Sequence, residues 1–320
     1  MTKWRATSGQ WRARGCKWSS RARRGICFAF ACFAAFASLV GAEPKRPKIP
    51  KIAYVRILVS DANAAANFYS KLSLMRTPEP CVWCELGQAQ AVGPAVHIGE
   101  QVALVKDDGS SPENRIDETV FVVSDVRKMG QYLRASGLAI RSTSPRLDYL
   151  DVLDPEGHRM GFVQGGARHA GSKSRSDLRP IIHAGFIVRD QAAMNHFYKD
   201  ILGFRPYWHG GMKDQETSWI SLQVPDGTDW VEFMVNLPPD PDQHLRGVMN
   251  HIALGVVDIH ATREQLVTNG VHLTEEPKLG RDGKWQLNLY DPDQTRIEFM
   301  EFTPKEKPCC SEFTGPHPKP

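Results

Sequence analysis

The chain has 320 residues, with 40 basic and 36 acidic side chains and a formal net charge of +4. This length is more than one small domain usually needs. The positive balance is confined to residues 1–42, which contain eight Lys and Arg and no acidic residue, so 32 basic (40 − 8) and 36 acidic side chains remain in 43–320. A net charge of −4 there argues against nucleic acid or an anionic membrane as a partner.

The basic stretch at the start is followed by an apolar run, Gly25–Val40, and by small residues at Val40-Gly41-Ala42. This order predicts a secretory signal peptide over 1–42, because the apolar run is short for a membrane span. Arg23-Arg24 would suit the twin-arginine route as an alternative to the Sec route, and an ordinary leader behind an early start codon is a further alternative. We expect an exported protein, periplasmic or extracellular, with no stable membrane insertion once the leader is removed.

The cysteines of 43–320 occur as two close pairs. Cys81 and Cys84 form a CxxC, and Cys309 and Cys310 are adjacent. In an oxidising compartment, Cys81–Cys84 is a candidate for a local disulfide. A zinc site would need a second CxxC, which the sequence does not contain.

Four apolar runs along the chain end in the pattern Val-x-Asp. Their aspartates are Asp61, Asp125, Asp190 and Asp258, at separations of 64, 65 and 68 residues. A near-constant period predicts repeated supersecondary units. Each Asp stands where a helix N-cap belongs, and three strand-like runs follow each predicted helix. Each unit therefore reads βαβββ.

A polar segment rich in Gly, Ser and Arg, 167–179, is predicted to be a linker. It divides the units into two domains, 46–166 and 180–303. The tail, 304–320, is rich in Pro and Lys and is expected to be disordered.

The third and fourth units each carry a His on the first strand and a Glu on the last. His183 and His251 each precede the capping Asp by seven residues, while His183 to Glu232 is 49 residues and His251 to Glu298 is 47. A single His at the start of an apolar strand is more often a core residue than a ligand. Four such residues at equivalent points of a repeat favour a shared metal, because a buried carboxylate is costly unless it is paired or metal-bound.

The first two units provide an internal comparison. The equivalent positions fall at Tyr54, near Ala103, at Glu118 and at Gly161. Only one potential ligand remains among them. We therefore expect 46–166 to bind no metal at this position and to act structurally, or as a lid or wall for the second domain.

Two local patterns, FYKDILGF at Phe197–Phe204 and DPDQTRIEF at Asp291–Phe299, carry a family resemblance. With the tandem units, they resemble the vicinal oxygen chelate superfamily over roughly 51–302, a group that includes glyoxalase I, extradiol dioxygenases and bleomycin resistance proteins. The resemblance implies an α+β fold of four βαβββ modules in two tandem domains, each a curled eight-stranded mixed sheet with helices outside. It matches four residues to the ligands of one divalent ion (Zn, Ni, Co, Mn or Fe), namely His183, Glu232, His251 and Glu298.

A glyoxalase I-like activity is the leading functional expectation. By the resemblance, a small-molecule substrate would bind the metal through two neighbouring oxygens, and Glu232 or Glu298 would move a proton, which makes the protein a lyase or isomerase. Export would separate it from glutathione and coenzyme A adducts. We therefore expect a hydroxy-carbonyl or phenolic substrate, and the sequence does not indicate the oligomeric state.

Two alternatives remain. An extradiol dioxygenase would use His183, His251 and Glu298, although the resemblance then implies a noncoordinating residue at Glu232 and a catalytic His and Tyr that Leu279–Leu289 lacks. A non-catalytic binding protein of the bleomycin-resistance type would use an aromatic cleft. Four tryptophans could form that cleft or belong to the core, namely Trp208, Trp219, Trp230 and Trp285.

One charged loop, GRDGKW, carries Arg281 and Lys284. These two cations could bind an anionic group of the substrate. A solvated charged turn is the favoured interpretation.

Overall fold

The computed structural model describes five segments of the chain: 44–72, 96–98, 102–107, 114–165 and 179–320. The predicted signal peptide, the Cys81–Cys84 pair and the predicted linker up to residue 178 lie outside them. Of the helices within these segments, none has the length and apolar character needed to cross a bilayer.

The first half of the chain forms a seven-stranded mixed sheet, ordered β2-β3-β1-β4-β7-β6-β5 within the described segments. Its strands are β1 (Lys51–Val59), β2 (Val96–Ile98), β3 (Val102–Lys106), β4 (Ile116–Val123), β5 (Ser142–Thr143), β6 (Tyr149–Leu153) and β7 (Arg159–Gln164), and its helices are α1 (Ala62–Lys71) and α2 (Val126–Ala135).

The second half forms an eight-stranded mixed sheet, ordered β13-β14-β15-β12-β8-β11-β10-β9. Its strands are β8 (Ile181–Ile187), β9 (Arg205–Gly210), β10 (Trp219–Gln223), β11 (Trp230–Met234), β12 (His251–Val256), β13 (Lys278–Leu279), β14 (Trp285–Tyr290) and β15 (Arg296–Glu301). Its helices are α3 (Gln191–Asn195, continued by a π-helical turn, His196–Ile201), α4 (Gln243–Met249) and α5 (Ile259–Thr268).

The four repeated aspartates cap the helices as predicted. Asp61, Asp125, Asp190 and Asp258 each accept a backbone N–H from the first turn of the helix that follows, at 2.8–3.0 Å. A cap of this type stabilises a helix by about 1 kcal/mol. The α+β class is confirmed, and the last three units show the predicted βαβββ order, while the first shows βαββ within the described segments.

The helix-bearing faces of the two sheets share one apolar core. The rings of Phe121 and Phe204, one from each half, meet edge to face with centroids 5.5 Å apart. Two buried hydrogen bonds tie the halves together reciprocally: Tyr69 Oη donates to Asp291 at 3.0 Å, and Tyr198 Oη donates to Asp154 at 3.2 Å. The halves consequently belong to one compact unit, 43–320, with the opposite sheet faces left to form sites.

The tail does not match the expected disorder. It lies against β9, where Thr314 donates its N–H to the carbonyl oxygen of Tyr207 at 3.0 Å. The Phe313 ring packs on the rings of Tyr207 and Trp208 at centroid distances of 4.9 and 6.4 Å. Pro and Lys content suggested disorder, but the packing of Phe313 on an aromatic surface and several hydrogen bonds along the segment hold it in place.

In the first sheet, the positions equivalent to the predicted ligands belong to a buried cluster of charged and polar side chains around Glu118. Glu118 is fully buried and accepts a hydrogen bond from Tyr149 Oη. Its other oxygen lies 3.7 Å from both Arg56 Nη1 and Arg159 Nη2. A Cβ on Gly161 would lie only 2.6 Å from the Glu118 carboxylate, so the glycine leaves room for this charged cluster.

The buried Glu118 predicts a pH-dependent stability. Burial, opposed by Arg159 and Arg56, raises the pKa of Glu118 to about 7. The folded state therefore holds this proton more tightly than the unfolded state, and the resulting stabilisation is complete below the unfolded pKa and is lost as pH rises through the folded pKa. Relative to Glu118→Gln, the free energy of unfolding of the wild type should fall by on the order of 3 kcal/mol between pH 4.5 and 8. Urea denaturation at both pH values measures this, with substitution of the exposed side chain in Glu312→Gln as control; a pH-independent difference would contradict it.

Candidate metal centre

Four neighbouring strands bring the predicted ligands to one face of the second sheet. Strands β8 and β12 are antiparallel neighbours at its centre and carry His183 and His251. Strand β11 runs parallel to β8 and places Glu232 opposite Gly185, two residues after His183; β15 places Glu298 in the same relation to His251. Side chains two residues apart on a strand share a face, so all four point to the same side.

The two imidazoles lie at the centre of the four side chains, with a carboxylate near each of them. The two Nε2 atoms of His183 and His251 are 3.0 Å apart, and Glu298 Oε2 is 3.6 Å from each. Glu232 Oε2 is 4.0 Å from His183 Nε2 and 3.5 Å from His251 Nε2. Ligands that share one ion at bonds of about 2.0–2.2 Å lie roughly 2.9–3.6 Å apart. His183, His251 and Glu298 therefore form a three-donor group that could hold one divalent ion, with Glu232 beside it; the four residues are called here the His/Glu cluster.

Both imidazoles are in the form that can bind a metal. Burial lowers the pKa of His183 and of His251 well below the usual value, so both rings are neutral. His251 Nδ1 lies 3.0 Å from the carbonyl oxygen of Met249, which assigns the proton to Nδ1 and leaves the Nε2 lone pair facing the cluster. Two such nitrogens 3.0 Å apart need a proton or a cation between them.

The two carboxylates differ in their surroundings. Burial, opposed by Arg296, raises the pKa of Glu298 to about 7. Its side chain is only 4% exposed, with Oε2 at 4.0 Å from Arg296 Nη2. Glu232 is 13% exposed, and its Oε1 accepts a hydrogen bond from Ser221 Oγ at 3.3 Å. Glu298 is therefore the more deeply buried carboxylate of the cluster, and Glu232 is the more accessible one.

Gly185 is a site residue that the sequence analysis did not identify. A Cβ at this position would lie 2.1 Å from Cε1 of His251, so any side chain would collide with the imidazole. The sequence His183-Ala184-Gly185 could have indicated this role, because a glycine stands two residues after the ligand and therefore on the same face of the strand.

A cavity of about 430 Å³ lies beside the cluster and includes Glu232 and Glu298 in its wall. Five aromatic side chains form part of its other walls, together with methionine, polar and charged side chains: Tyr207, Trp208, Trp219, Trp230 and Phe313. Three of the four tryptophans considered for an aromatic cleft therefore line it. Trp285 packs elsewhere, against the His260 ring. Because Phe313 belongs to the tail, the tail forms part of the cavity.

Four cationic side chains also line this aromatic cavity: Lys278, Arg281, Lys284 and Arg296. The favoured interpretation of GRDGKW as a solvated turn is wrong for Lys284, which has no exposed surface. The loop reverses direction at Gly283, whose φ is +79°. The tail covers this turn, where the backbone N–H of Lys305 donates to the carbonyl oxygen of Gly283 at 2.7 Å. A local sequence pattern cannot reveal that a distant segment covers the turn.

Comparison with known proteins agrees with these features. The family model described as Glyoxalase/Bleomycin resistance protein/Dioxygenase superfamily matches residues 181–299, which hold the whole His/Glu cluster. The lactoylglutathione lyase of Haemophilus influenzae is 30% identical over 123 residues, which are 38% of this chain and 91% of that protein.

Solved structures resemble both halves together. The 2,3-dioxygenase LapB from Pseudomonas sp. KL28 aligns over 86% of this chain and 96% of its own, with a TM-score of 0.58 and 15% identity. The homoprotocatechuate 2,3-dioxygenase of Brevibacterium fuscum aligns over 85% of this chain and 84% of its own, with a TM-score of 0.53 and 18% identity. At such identities the likeness concerns the fold alone. With repeated βαβββ units, a His/Glu cluster and a relative matched over nearly its full length, this chain belongs to the Glyoxalase/Bleomycin resistance protein/Dioxygenase superfamily.

Proposed function

We propose that this protein is a divalent-metal-dependent lyase or isomerase of the glyoxalase I type. The observation that carries the proposal is that each of the two imidazole Nε2 atoms lies 3.0–4.0 Å from the other and from one oxygen of each of two carboxylates. His183, Glu232, His251 and Glu298 would hold one ion of Zn, Ni, Co, Mn or Fe. When bound, such an ion polarises two neighbouring oxygens of a substrate.

The carboxylates supply the proton transfer. Glu298 and Glu232 come from different strands and both border the cavity, so either could reach a substrate bound there. A raised pKa suits a carboxylate that must take a proton near neutral pH and return it. In this proposal one of the two removes a proton next to a carbonyl, and the aromatic walls keep water away.

The substrate class follows from the cavity and from the proposed export of the chain. The related Haemophilus protein is named for a glutathione derivative. An exported protein would meet few intracellular thiol adducts, and the cavity of about 430 Å³ suits a small molecule. We therefore propose a hydroxy-carbonyl or phenolic compound.

Extradiol ring cleavage is a second candidate, favoured by one observation. The two-half arrangement aligns with dioxygenases over 85–86% of the chain. Two features of the cavity weigh against it: Glu232 adds a second carboxylate, and none of the cavity-lining residues that the structure describes is a histidine. Oxygen uptake with catechol and Fe(II), without hydrogen exchange, would favour this alternative.

Metal content tests the shared premise. We expect the purified wild type to hold about one divalent ion per chain, and His251→Ala to bind the ion at least about 100-fold more weakly, because removing a ligand costs more than the 10–100-fold typical of an outer-shell change. His196→Ala, an exposed helix residue, is the matched control. Elemental analysis and metal titration measure the effect. An unchanged metal content in His251→Ala would reject the centre, and a metal-free wild type that binds ligands would favour simple sequestration.

A further inference from the structure

Lys284 is a buried cation with no hydrogen-bond acceptor among the residues that the structure describes. Its residue surface is 0% exposed. The ammonium lies 4.6 Å from the ring centroid of Trp230, 5.2 Å from that of Phe313 and 5.5 Å from that of Tyr207. Aromatic faces attract a cation, but they do not accept its N–H groups as oxygen does.

The other cations of the cavity wall all have carboxylate neighbours. Lys278 lies 2.9 Å from Glu275, Arg281 pairs with Asp214, and Arg296 lies 4.0 Å from Glu298. Within the described segments, Lys284 has no carboxylate oxygen within 4.0 Å. A buried ammonium without an acceptor is unfavourable, and such a feature points to a partner supplied by the ligand.

Asp282, the nearest acid along the loop, does not serve as that acceptor. Its Oδ1 is engaged by the backbone N–H of Lys284 at 3.1 Å and by Gln286 Nε2 at 3.3 Å. Burial lowers the pKa of Lys284 to about 8, with the negative charges of Asp282, Glu298 and Glu232 opposing the decrease. The side chain is therefore mainly protonated at neutral pH.

The His/Glu cluster and Lys284 are linked by one indole ring. The Trp230 centroid lies 4.7 Å from that of His183 and 4.6 Å from Lys284 Nζ. Because both groups border the same cavity, a ligand of the size of one aromatic ring could reach from one to the other. Its flat apolar body would match the surrounding aromatic walls.

We propose that Lys284 binds a carboxylate of the substrate, so that the substrate is a small organic acid with a flat apolar body and two metal-binding oxygens. This deepens the proposed function and rests on it. A carboxylate fits better than a phosphate, because the wall offers one cation without a carboxylate partner and a carboxylate carries one negative charge. The bound carboxylate would accept the unsatisfied N–H groups, while the opposite end of the molecule faces the carboxylates of Glu232 and Glu298.

Matched chelating probes test this. Benzohydroxamate binds a divalent ion through two neighbouring oxygens, and its 2-, 3- and 4-carboxy derivatives add one carboxylate in different directions. With Zn²⁺-loaded wild type, isothermal titration calorimetry should show at least one carboxy isomer binding about tenfold or more tightly than benzohydroxamate, as a charge-assisted hydrogen bond permits. In Lys284→Met and Lys284→Gln this preference should disappear, while the affinity for benzohydroxamate stays within about threefold.

Controls separate the possible failures. Lys305→Met, outside the cavity, should keep the preference for the carboxy isomer. Thermal unfolding should show Lys284→Met at least as stable as the wild type, since the substitution removes a buried unpaired ammonium.

If the wild type binds all these probes alike, or if the preference survives in both variants, the proposed role of Lys284 is wrong. Tighter binding of a phosphono analogue would overturn the assignment to a carboxylate. Failure of plain benzohydroxamate to bind the metal-loaded wild type would instead overturn the metal-site proposal, and this inference with it.

Discussion

Glu298→Gln is expected to reduce turnover by about 10²–10⁴-fold, because the amide cannot take a proton in the neutral pH range. The substitution preserves side-chain shape, and His183, His251 and Glu232 remain, so about one ion per chain should still bind. The measurement is exchange of the hydrogen next to the carbonyl of hydroxy-carbonyl substrates in D₂O, followed by NMR, with metal content determined on the same samples.

Glu301→Gln is the matched control for this prediction. Glu301 is also buried and on β15, but it points to the other face, where its Oε1 accepts the N–H of Ile259 at 3.0 Å. It should leave the exchange rate unchanged within about twofold. If Glu298→Gln exchanges hydrogen as fast as the wild type, Glu298 is not the base, and Glu232 becomes the residue to substitute.

Gly185→Ala is expected to weaken metal binding by roughly 10–100-fold although no ligand is replaced, an effect typical of disturbing the support of a ligand. The new Cβ would lie 2.1 Å from Cε1 of His251, which forces the ring or strand β8 to move. His251 would then lose its hydrogen bond to Met249 or its alignment with His183. Competition with a fluorescent zinc chelator measures the affinity.

Gly130→Ala is the control for the effect of adding a methyl group. Gly130 lies on α2 in the first half, where a new Cβ would approach only side-chain atoms, at 3.1 Å from Leu150 and 3.4 Å from Arg134. It should not change the zinc affinity. Circular dichroism at the assay temperature distinguishes a local change at Gly185 from unfolding, and wild-type zinc affinity in folded Gly185→Ala would mean that the site tolerates a shifted His251.

The repeat and the ligand candidates were predictable because they depend on short-range rules. The N-cap role of Asp190 and Asp258 fixes where each strand ends, and the alternation of side chains then assigns the faces of His183 and His251. The same spacing identified Tyr54 and Gly161 as the positions without a ligand in the first half. The register of β4 with β7 places Gly161 opposite Val120, two residues after Glu118, in agreement with that count.

Other features depended on which distant segments meet. The tail has a composition typical of disorder, yet Phe313 packs on Tyr207 because the second sheet presents an aromatic surface there. Lys284 stands in a polar loop that reads as solvated, yet the tail and Trp230 enclose it. Neither the packing of Phe313 nor the burial of Lys284 can be inferred from the residues next to it in the sequence.

By itself, the sequence determined the number of units and their strand and helix order, because capping and strand periodicity act over a few residues and recur in each unit. It also predicted the four candidate donors. The tertiary structure alone decided that the donors lie 3.0–4.0 Å apart along the measured pairs, that Gly185 leaves room for an imidazole, and that an unpaired ammonium borders the cavity. These features arise from the packing of strands and of the tail that are far apart along the chain, where burial rather than local propensity sets both the charge state and the contacts of each side chain.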